Sequence, residues 1–294
     1  MDTTTDPRRL LQAYDLKPRR SLGQNFLVDP AAPGRIVSGA EVSSQDVVLE
    51  VGAGVGTLTA ALAERAGQVL AVETDPQLVT VLQEELGERD NVRIIHGDIL
   101  ALDPAALLDL PSPSRVPLWG PLLEHYLVVA NLPYYITAAV IRHLFEASVR
   151  PQRAIFTVQY EVAQRMAAQP DEMSLLAVSV QFYGVPRILF RLKRGAFYPA
   201  PAVDSAVVRI DLHSTPPVET EDVEGFFRIV RAGFAQRRKQ LKNTLGAGMQ
   251  LDPNAVAGAL SAAGIDPSRR AETLSLGEWG RVMRALAPLM NSPA

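Results

Sequence analysis

The 294 residues carry 32 acidic and 29 basic side chains, four histidines and no cysteine, and 47% of them are hydrophobic, the profile of a globular chain long enough for a sizeable core. The missing cysteine excludes disulfides, thiolate metal sites and a cysteine nucleophile, and with it the covalent route of cytosine-C5 methylation; the scattered His96, His125, His143 and His213 make no metal cluster. No apolar run is long enough to cross a bilayer and residues 1–6 lack the apolar core of a signal peptide, so a cytoplasmic protein is expected.

From residue 46 short β-branched runs alternate with helical stretches. Residues 46–51 (DVVLEV) read as a buried strand. Thr57 is placed to cap a helix ending at Gly67. Residues 68–72 form the next strand, and Asp75-Pro76 is an N-cap followed by proline at the first helical position. Residues 92–96 and 126–130 are the third and fourth strands, the latter after the Pro-rich loop 111–121. Residues 137–148 are amphipathic, with Val140, Ile141, Leu144 and Phe145 on one face. Residues 153–159 are a fifth strand, and 185–192 and 203–212 a closing pair. This alternation predicts an α/β fold with a parallel sheet covered by helices on both faces.

Residues 213–224 hold two prolines and four acids and have the composition of a linker. Everything after them reads as helical, with Phe226, Phe227, Val230 and Phe234 in one stripe, then Val256, Leu260, Trp279 and Leu286. The expected domains are therefore 1–213 and a small helical domain, 214–294. Charge is uneven along the chain. Residues 41–110 have 13 acids and 3 bases, whereas 187–209 have five bases against one acid and 228–242 have six bases and no acid. Each basic cluster alone reads as solvated surface; with the basic residues 1–20, they allow a polyanion to bind on one face.

The segment Glu50-Val-Gly52-Ala-Gly54-Val-Gly56-Thr57 follows a strand and opens a helix. Glycines there let the backbone turn sharply and approach a ligand, although such a turn also occurs with no ligand. Thr57 stands where a dinucleotide fingerprint would place its third glycine; the spacing is instead similar to the first motif of S-adenosylmethionine-dependent methyltransferases. The second strand ends in Glu73, a carboxylate able to accept from two ribose hydroxyls, and the third in His96-Gly97-Asp98, whose Asp98 can accept from an adenine amino group or simply cap a turn. These strand ends make a row at the carboxyl edge of the sheet, where ligands bind in such folds.

The fourth strand ends in Asn131-Leu132-Pro133-Tyr134. An exocyclic amine is a poor nucleophile because its lone pair is delocalised, and it needs an acceptor for each N–H before its nitrogen can become tetrahedral. Asn131 offers its amide oxygen. Pro133 lacks an N–H and fixes the turn, so that the Leu132 carbonyl can be the second acceptor. Tyr134 and Phe197 offer faces for a base, which implies a flipped-out or single-stranded nucleotide.

Together these residues closely resemble the bacterial small-subunit (16S) ribosomal RNA adenine-N6,N6 dimethyltransferases. The resemblance runs from about residue 15 to residue 280. It includes residues 19–27 (RRSLGQNFL), 131–137 (NLPYYIT), 159–165 (QYEVAQR), 197–207 (FYPAPAVDSAV), 234–239 (FAQRRK) and 270–274 (RAETL). It implies a Rossmann-like S-adenosylmethionine-dependent methyltransferase sheet with a small all-helical C-terminal domain, and cofactor contacts from Asn25, Leu27, Gly52, Gly54, Glu73, Asp98 and Asn131. It also implies a monomer acting on small-subunit ribosomal RNA within a 30S precursor, with no metal and no membrane. If residues 226–242 form one unbroken helix, Arg231, Arg238 and Lys242 lie along one stripe able to grip phosphates; Arg237 and Lys239 join them as candidate RNA contacts. Two positions depart from the family pattern: Ala53 replaces a proline, and residues 169–173 stand where a longer, more basic stretch is usual. The alternatives are a large-subunit rRNA adenine-N6 methyltransferase of the drug-resistance type and a mainly non-catalytic 30S assembly factor. A nicotinamide-dependent oxidoreductase is disfavoured by Thr57 and by the Asn131–Tyr134 segment.

Overall fold

In the computed structural model, residues 6–19, 22–109, 122–132, 136–220 and 222–290 are described. The strands are β1 (Phe26–Leu27), β2 (Val47–Val51), β3 (Gln68–Glu73), β4 (Val92–His96), β5 (Leu122–Asn131), β6 (Arg150–Gln159), β7 (Gly184–Leu192), β8 (Phe197–Tyr198) and β9 (Ser205–Leu212). One sheet has the order β4-β3-β2-β5-β6-β9-β7, and β1 pairs with β8 in a separate antiparallel ladder. From β4 to β6 every neighbouring pair is parallel, and β9 runs antiparallel to β6. Val48, Leu49, Val69, Val72, Leu127 and Val129 are all buried, as expected of parallel strands covered on both faces.

The strand order reverses at β2. The chain moves outward through β3 and β4 on one side, then returns to place β5 on the other, with Val51 opposite Ala130. A crevice at such a switch point opens beyond the carboxyl ends of the strands. The parallel ladder thus brings the exits of β2, β3, β4 and β5 to one edge.

The helix after β2 corrects one expectation. It spans Thr57–Ala63; its N-cap is Gly56, left-handed at φ 86°, and Thr57 is the first helical residue. The positive φ is what requires glycine; a Cβ there would also press on the Leu86 side chain at 2.6 Å. The helix also ends before Gly67, whose N–H donates to the Asp46 carbonyl at 3.0 Å to start β3.

Two compact units emerge, Met1–Ala163 with Pro186–Leu212, and Gln164–Val185 with His213–Ala294. To the segment after Leu212 the second therefore adds residues 164–185. Their Phe182 and Tyr183 supply part of its aromatic core, Phe182 stacking on Phe226 with ring centroids 4.9 Å apart and Tyr183 on Phe227 at 6.1 Å. Phe226, Val230, Val256, Leu260, Trp279 and Leu286 are all buried.

The single long helix over residues 226–242 does not form. One helix spans Val223–Phe234 and the next Leu241–Met249, with Gln240 extended between them. Turning back buries Leu241 and Leu245 completely, whereas a straight continuation would leave them on a lone exposed helix. The pair crosses closely, since a Cβ on Gly248 would meet that of Ala232 at 2.6 Å. Arg231 and Lys242 thus belong to different helices, and Arg237, Arg238 and Lys239 are exposed on the connection; the stripe at intervals of seven and four is absent.

Candidate active site

At the reversal of the sheet lies a cavity whose lining includes Asn25, Leu27, Gly52, Gly54, Glu73, Asp98, Asn131 and Leu132. Every residue expected to hold the cofactor lines it, together with the first oxygen-bearing residues of the acceptor segment. Gly52 and Gly54 are left-handed at φ 75° and 63°. Ala53 donates its N–H to the Val72 carbonyl at 3.2 Å. A proline there has no such donor, so the departure at this position adds a tie between the loop and β3.

Glu73 organises the loop. Its Oε2 accepts from the Gly54 N–H at 2.8 Å, and its Oε1 accepts from the Thr74 and Asp75 N–H groups at 2.9 Å each. Burial raises its carboxyl above the ordinary range, against the lowering by these three donors. Oε1 has two donors and Oε2 one, so Oε2 retains capacity for a hydroxyl donor on the cavity side. Asp98 is exposed at the end of β4 and caps the Leu100 N–H through Oδ1 at 3.0 Å. The turn-capping role and a place in the cavity wall therefore coexist.

Asn131 is oriented from outside its own strand. Its Nδ2 donates to the Asn25 carbonyl at 3.0 Å. This assigns the amide nitrogen to the N-terminal segment and leaves Oδ1 as the group free to accept in the cavity. Leu132 follows, buried at the wall. Pro133 and Tyr134 lie outside the described residues, as do Arg20 and Ser21 and the loop 111–121.

Phe197 corrects a further expectation. It is 3% exposed, pairs with Leu27 across the short ladder and packs in the core with Ala32, Ile36 and Leu192. It buttresses the segment that lines the cavity and presents no open face to a base. Its apolar ring gains more from this packing than from a half-wet wall.

Three structural roles in the site go beyond what the sequence indicated. Residues 22–27 cross the cavity as a strap. Its clasp is Asp75, 3% exposed, which accepts from Arg19 Nη1 at 3.2 Å and from Gln24 Nε2 at 3.0 Å. Arg19 also bonds Gln77, and Leu10, Leu11 and Phe26 pack with Val55 and Leu78 beside it. The third role falls to Glu50 on β2, 1% exposed, whose Oε2 has no partner among the described residues. Burial pushes its carboxyl up to about 8, and the neighbouring Glu73 adds to the rise. Asp75 is legible as a helix cap, but its partners lie more than 50 residues away, and nothing local indicates a clasp. Glu50 stands in the glycine motif, where its burial would have been the signal.

Comparison with known proteins decides the family. The family model for ribosomal RNA adenine dimethylase matches residues 15–287. The chain belongs to this family. The ribosomal RNA small subunit methyltransferase A of Dehalococcoides mccartyi is 43% identical over 92% of this chain and 89% of that protein. The protein of that name from Moorella thermoacetica is 42% identical over 97% and 99% of the two chains. Among solved structures, the 23S rRNA methyltransferase ErmE is similar with TM-score 0.68 and 27% identity over 89% of this chain and 99% of that one. A dimethyladenosine transferase from Plasmodium falciparum shares the fold with TM-score 0.73 and 20% identity over 90% and 98% of the two chains. This family member is accordingly an enzyme, a methyltransferase of ribosomal RNA adenines that takes its methyl groups from S-adenosylmethionine. The cavity fits that cofactor. A carboxylate with a spare acceptor, a cradle of left-handed glycines and a buried carboxyl oxygen lacking a donor match a ligand with a ribose and an ammonium group. Among the described residues no helix is long and apolar enough to cross a membrane.

Proposed function

We propose that the chain transfers methyl groups to N6 of adenines in small-subunit ribosomal RNA, two per base, as a monomer acting on a 30S precursor in the cytoplasm. The observation that carries this reading is the Asn131–Asn25 hydrogen bond, which leaves the amide oxygen to accept at the cavity edge beside the glycine loop. Identities of 42–43% to proteins named for the small subunit, against 27% to ErmE, support the small-subunit substrate.

S-adenosylmethionine, when bound, supplies an electrophilic methyl carbon on a positive sulfur. The residues of the chain align and polarise. Asn131 Oδ1 and the Leu132 carbonyl accept the two N6 hydrogens, so the nitrogen lone pair leaves conjugation with the ring. Tyr134 offers the stacking face. Methylation makes the nitrogen acidic and its proton passes to solvent, so no enzyme nucleophile or general base is required. The contribution is positioning and fixed dipoles. Asn25 and Leu27 of the strap, with Gly52, Gly54, Glu73 and Asp98, hold the cofactor. Arg237, Arg238 and Lys239 on the connection of the helical unit face RNA phosphate, with Arg231 and Lys242 flanking them. Incubating immature 30S particles with labelled cofactor and mapping the modified nucleotide tests the reading: dimethyladenosine in the small-subunit RNA is expected, and label confined to large-subunit RNA would refute it.

Glu50 receives the cofactor's ammonium in this reading, which makes cofactor binding depend on pH. The folded-state value of about 8 lies above the ordinary 4.5. The stability tied to the protonated form is thus complete below 4.5 and is lost as pH rises through about 8. An ammonium partner favours the ionised form, so binding releases a proton. The expected outcome is tighter cofactor binding as pH rises from about 6 to about 7.5, below the range where an α-amino group itself titrates. Glu50→Gln should flatten this dependence, weaken binding about tenfold by removing a charged hydrogen bond, and remove the loss of thermal stability between pH 4.5 and about 8. Calorimetric titration in buffers of different ionisation enthalpy counts the released proton.

A further inference from the structure

The basic segment 187–209 is not used by the site as described. Arg209 is committed to structure, held by Glu41 at 2.7 Å and Asp211 at 3.0 Å. Arg191, Lys193 and Arg194 collect at the substrate edge of the sheet. Asn131 at the end of β5 lies opposite Thr157 of β6, and three residues further along the β6 strand exit stands Tyr160. Because β9 is antiparallel to β6, its start meets the same edge, with Ser205 opposite Gln159. Asp204, just before it, accepts from Arg191 at 2.7 Å and from the Arg194 N–H at 2.9 Å. The Arg191 guanidinium lies over the Tyr160 ring, 4.4 Å from its centroid. Lys193 and Arg194 are exposed. Four residues after Arg194, Tyr198 is 41% exposed and pairs with Phe26, which lines the cofactor cavity.

We propose that Arg191 held on Tyr160, the free cations of Lys193 and Arg194, and the exposed ring of Tyr198 form a docking surface for the single-stranded RNA flanking the target adenine. This deepens the small-subunit RNA reading and rests on it. Cations interleaved with aromatic faces suit a single strand, whose phosphates need charge and whose unstacked bases need a platform. A base must leave its stack to reach the Asn131 oxygen, so the nucleotides on either side are exposed as well. Asp204 is a positioning residue: it spends its charge on Arg191 and fixes the turn that presents Arg194. A duplex offers no open base to Tyr198, so the surface selects a splayed strand. The surface belongs to the same unit as the cavity, independent of the basic connection in the helical unit.

The test compares Lys193→Ala/Arg194→Ala, Tyr198→Ala and Tyr198→Phe with the parent chain. Arg65→Ala is the charge control, since Arg65 is exposed where the helix Thr57–Ala63 has run back to the opposite edge. Binding of a labelled ten-nucleotide oligoadenylate is measured against salt, and steady-state methylation is measured on immature 30S particles. For the double variant, KM for the particles should rise about tenfold with kcat and cofactor affinity within twofold. Its salt slope on the oligonucleotide should fall by about 1.4, at about 0.7 per phosphate contact on a single strand. Tyr198→Ala should weaken oligonucleotide binding about tenfold and Tyr198→Phe should restore it. A KM and salt slope matching Arg65→Ala in the double variant, with melting temperature unchanged, overturns the proposal; so does a loss in Tyr198→Ala that Tyr198→Phe fails to restore. If the parent chain methylates no particle, the substrate reading fails, and the oligonucleotide measurements still decide the surface.

Discussion

Replacing Asn131 by alanine should lower methyl transfer about 10²- to 10³-fold, the usual cost of removing one preorganised hydrogen-bonding group from a reacting centre. Cofactor binding should weaken far less. The side chain makes one hydrogen bond to the strap, at the Asn25 carbonyl, and the loss of one such bond costs about 1 kcal/mol, or roughly fivefold. Asn131→Asp separates the two duties. It keeps an oxygen for the adenine but sets a carboxylate against the Asn25 carbonyl where a donor now stands, so the strap should loosen further. Equilibrium cofactor titration and labelled-methyl incorporation on the same preparations check both numbers. Full activity in Asn131→Ala would remove the acceptor assignment.

Glu73→Ala should have the largest effect on the cofactor. The substitution deletes the spare acceptor and also releases the Gly54, Thr74 and Asp75 N–H groups. Each buried donor left without a partner costs about 1–3 kcal/mol, and water entering the opened cavity recovers part of that. A fall in cofactor affinity of at least 100-fold, with a net loss of about 3 kcal/mol in stability, is the expected result. Glu73→Gln keeps the size of the side chain but turns an amide donor toward backbone donors, so it should lie between alanine and the parent. Thermal melting and cofactor titration give the two readouts independently. If stability falls and affinity does not, Glu73 is only a tie for the glycine loop.

Much of this was open to reading in one dimension, for a physical reason. Strand exits in a parallel sheet fall on one edge, so once Glu50–Thr57, Glu73, Asp98 and Asn131 are each seen to end a strand, their convergence follows without coordinates. The cavity lining contains residues 50–55, Thr57, Glu73, Asp98 and Asn131. Periodicity likewise found the amphipathic helix, whose Val140, Ile141, Leu144 and Phe145 are buried. It misled where a local pattern has two tertiary solutions. Residues 226–242 are compatible with one helix or a hairpin, and the burial of Leu241 and Leu245 selects the hairpin. An aromatic in a suggestive motif can be a wall or a buttress, and Phe197 is a buttress because Leu27 lies opposite it.

The amino-acid pattern alone determined the succession of strands in the main sheet, the glycine loop that can approach a nucleotide, the carboxylates at the strand ends and the amide that ends the fourth of them. These depend on dihedral preference and periodicity, which act between near neighbours. The tertiary structure decided which way the Asn131 amide faces, that Asp75 clasps the strap, that Glu50 is sealed from water, and that Phe182 and Tyr183 join the helical unit. Each of these is a pairing across tens of residues or a degree of burial. Hydrogen-bond satisfaction and desolvation depend on what surrounds a group in space, and its neighbours in the chain do not specify that.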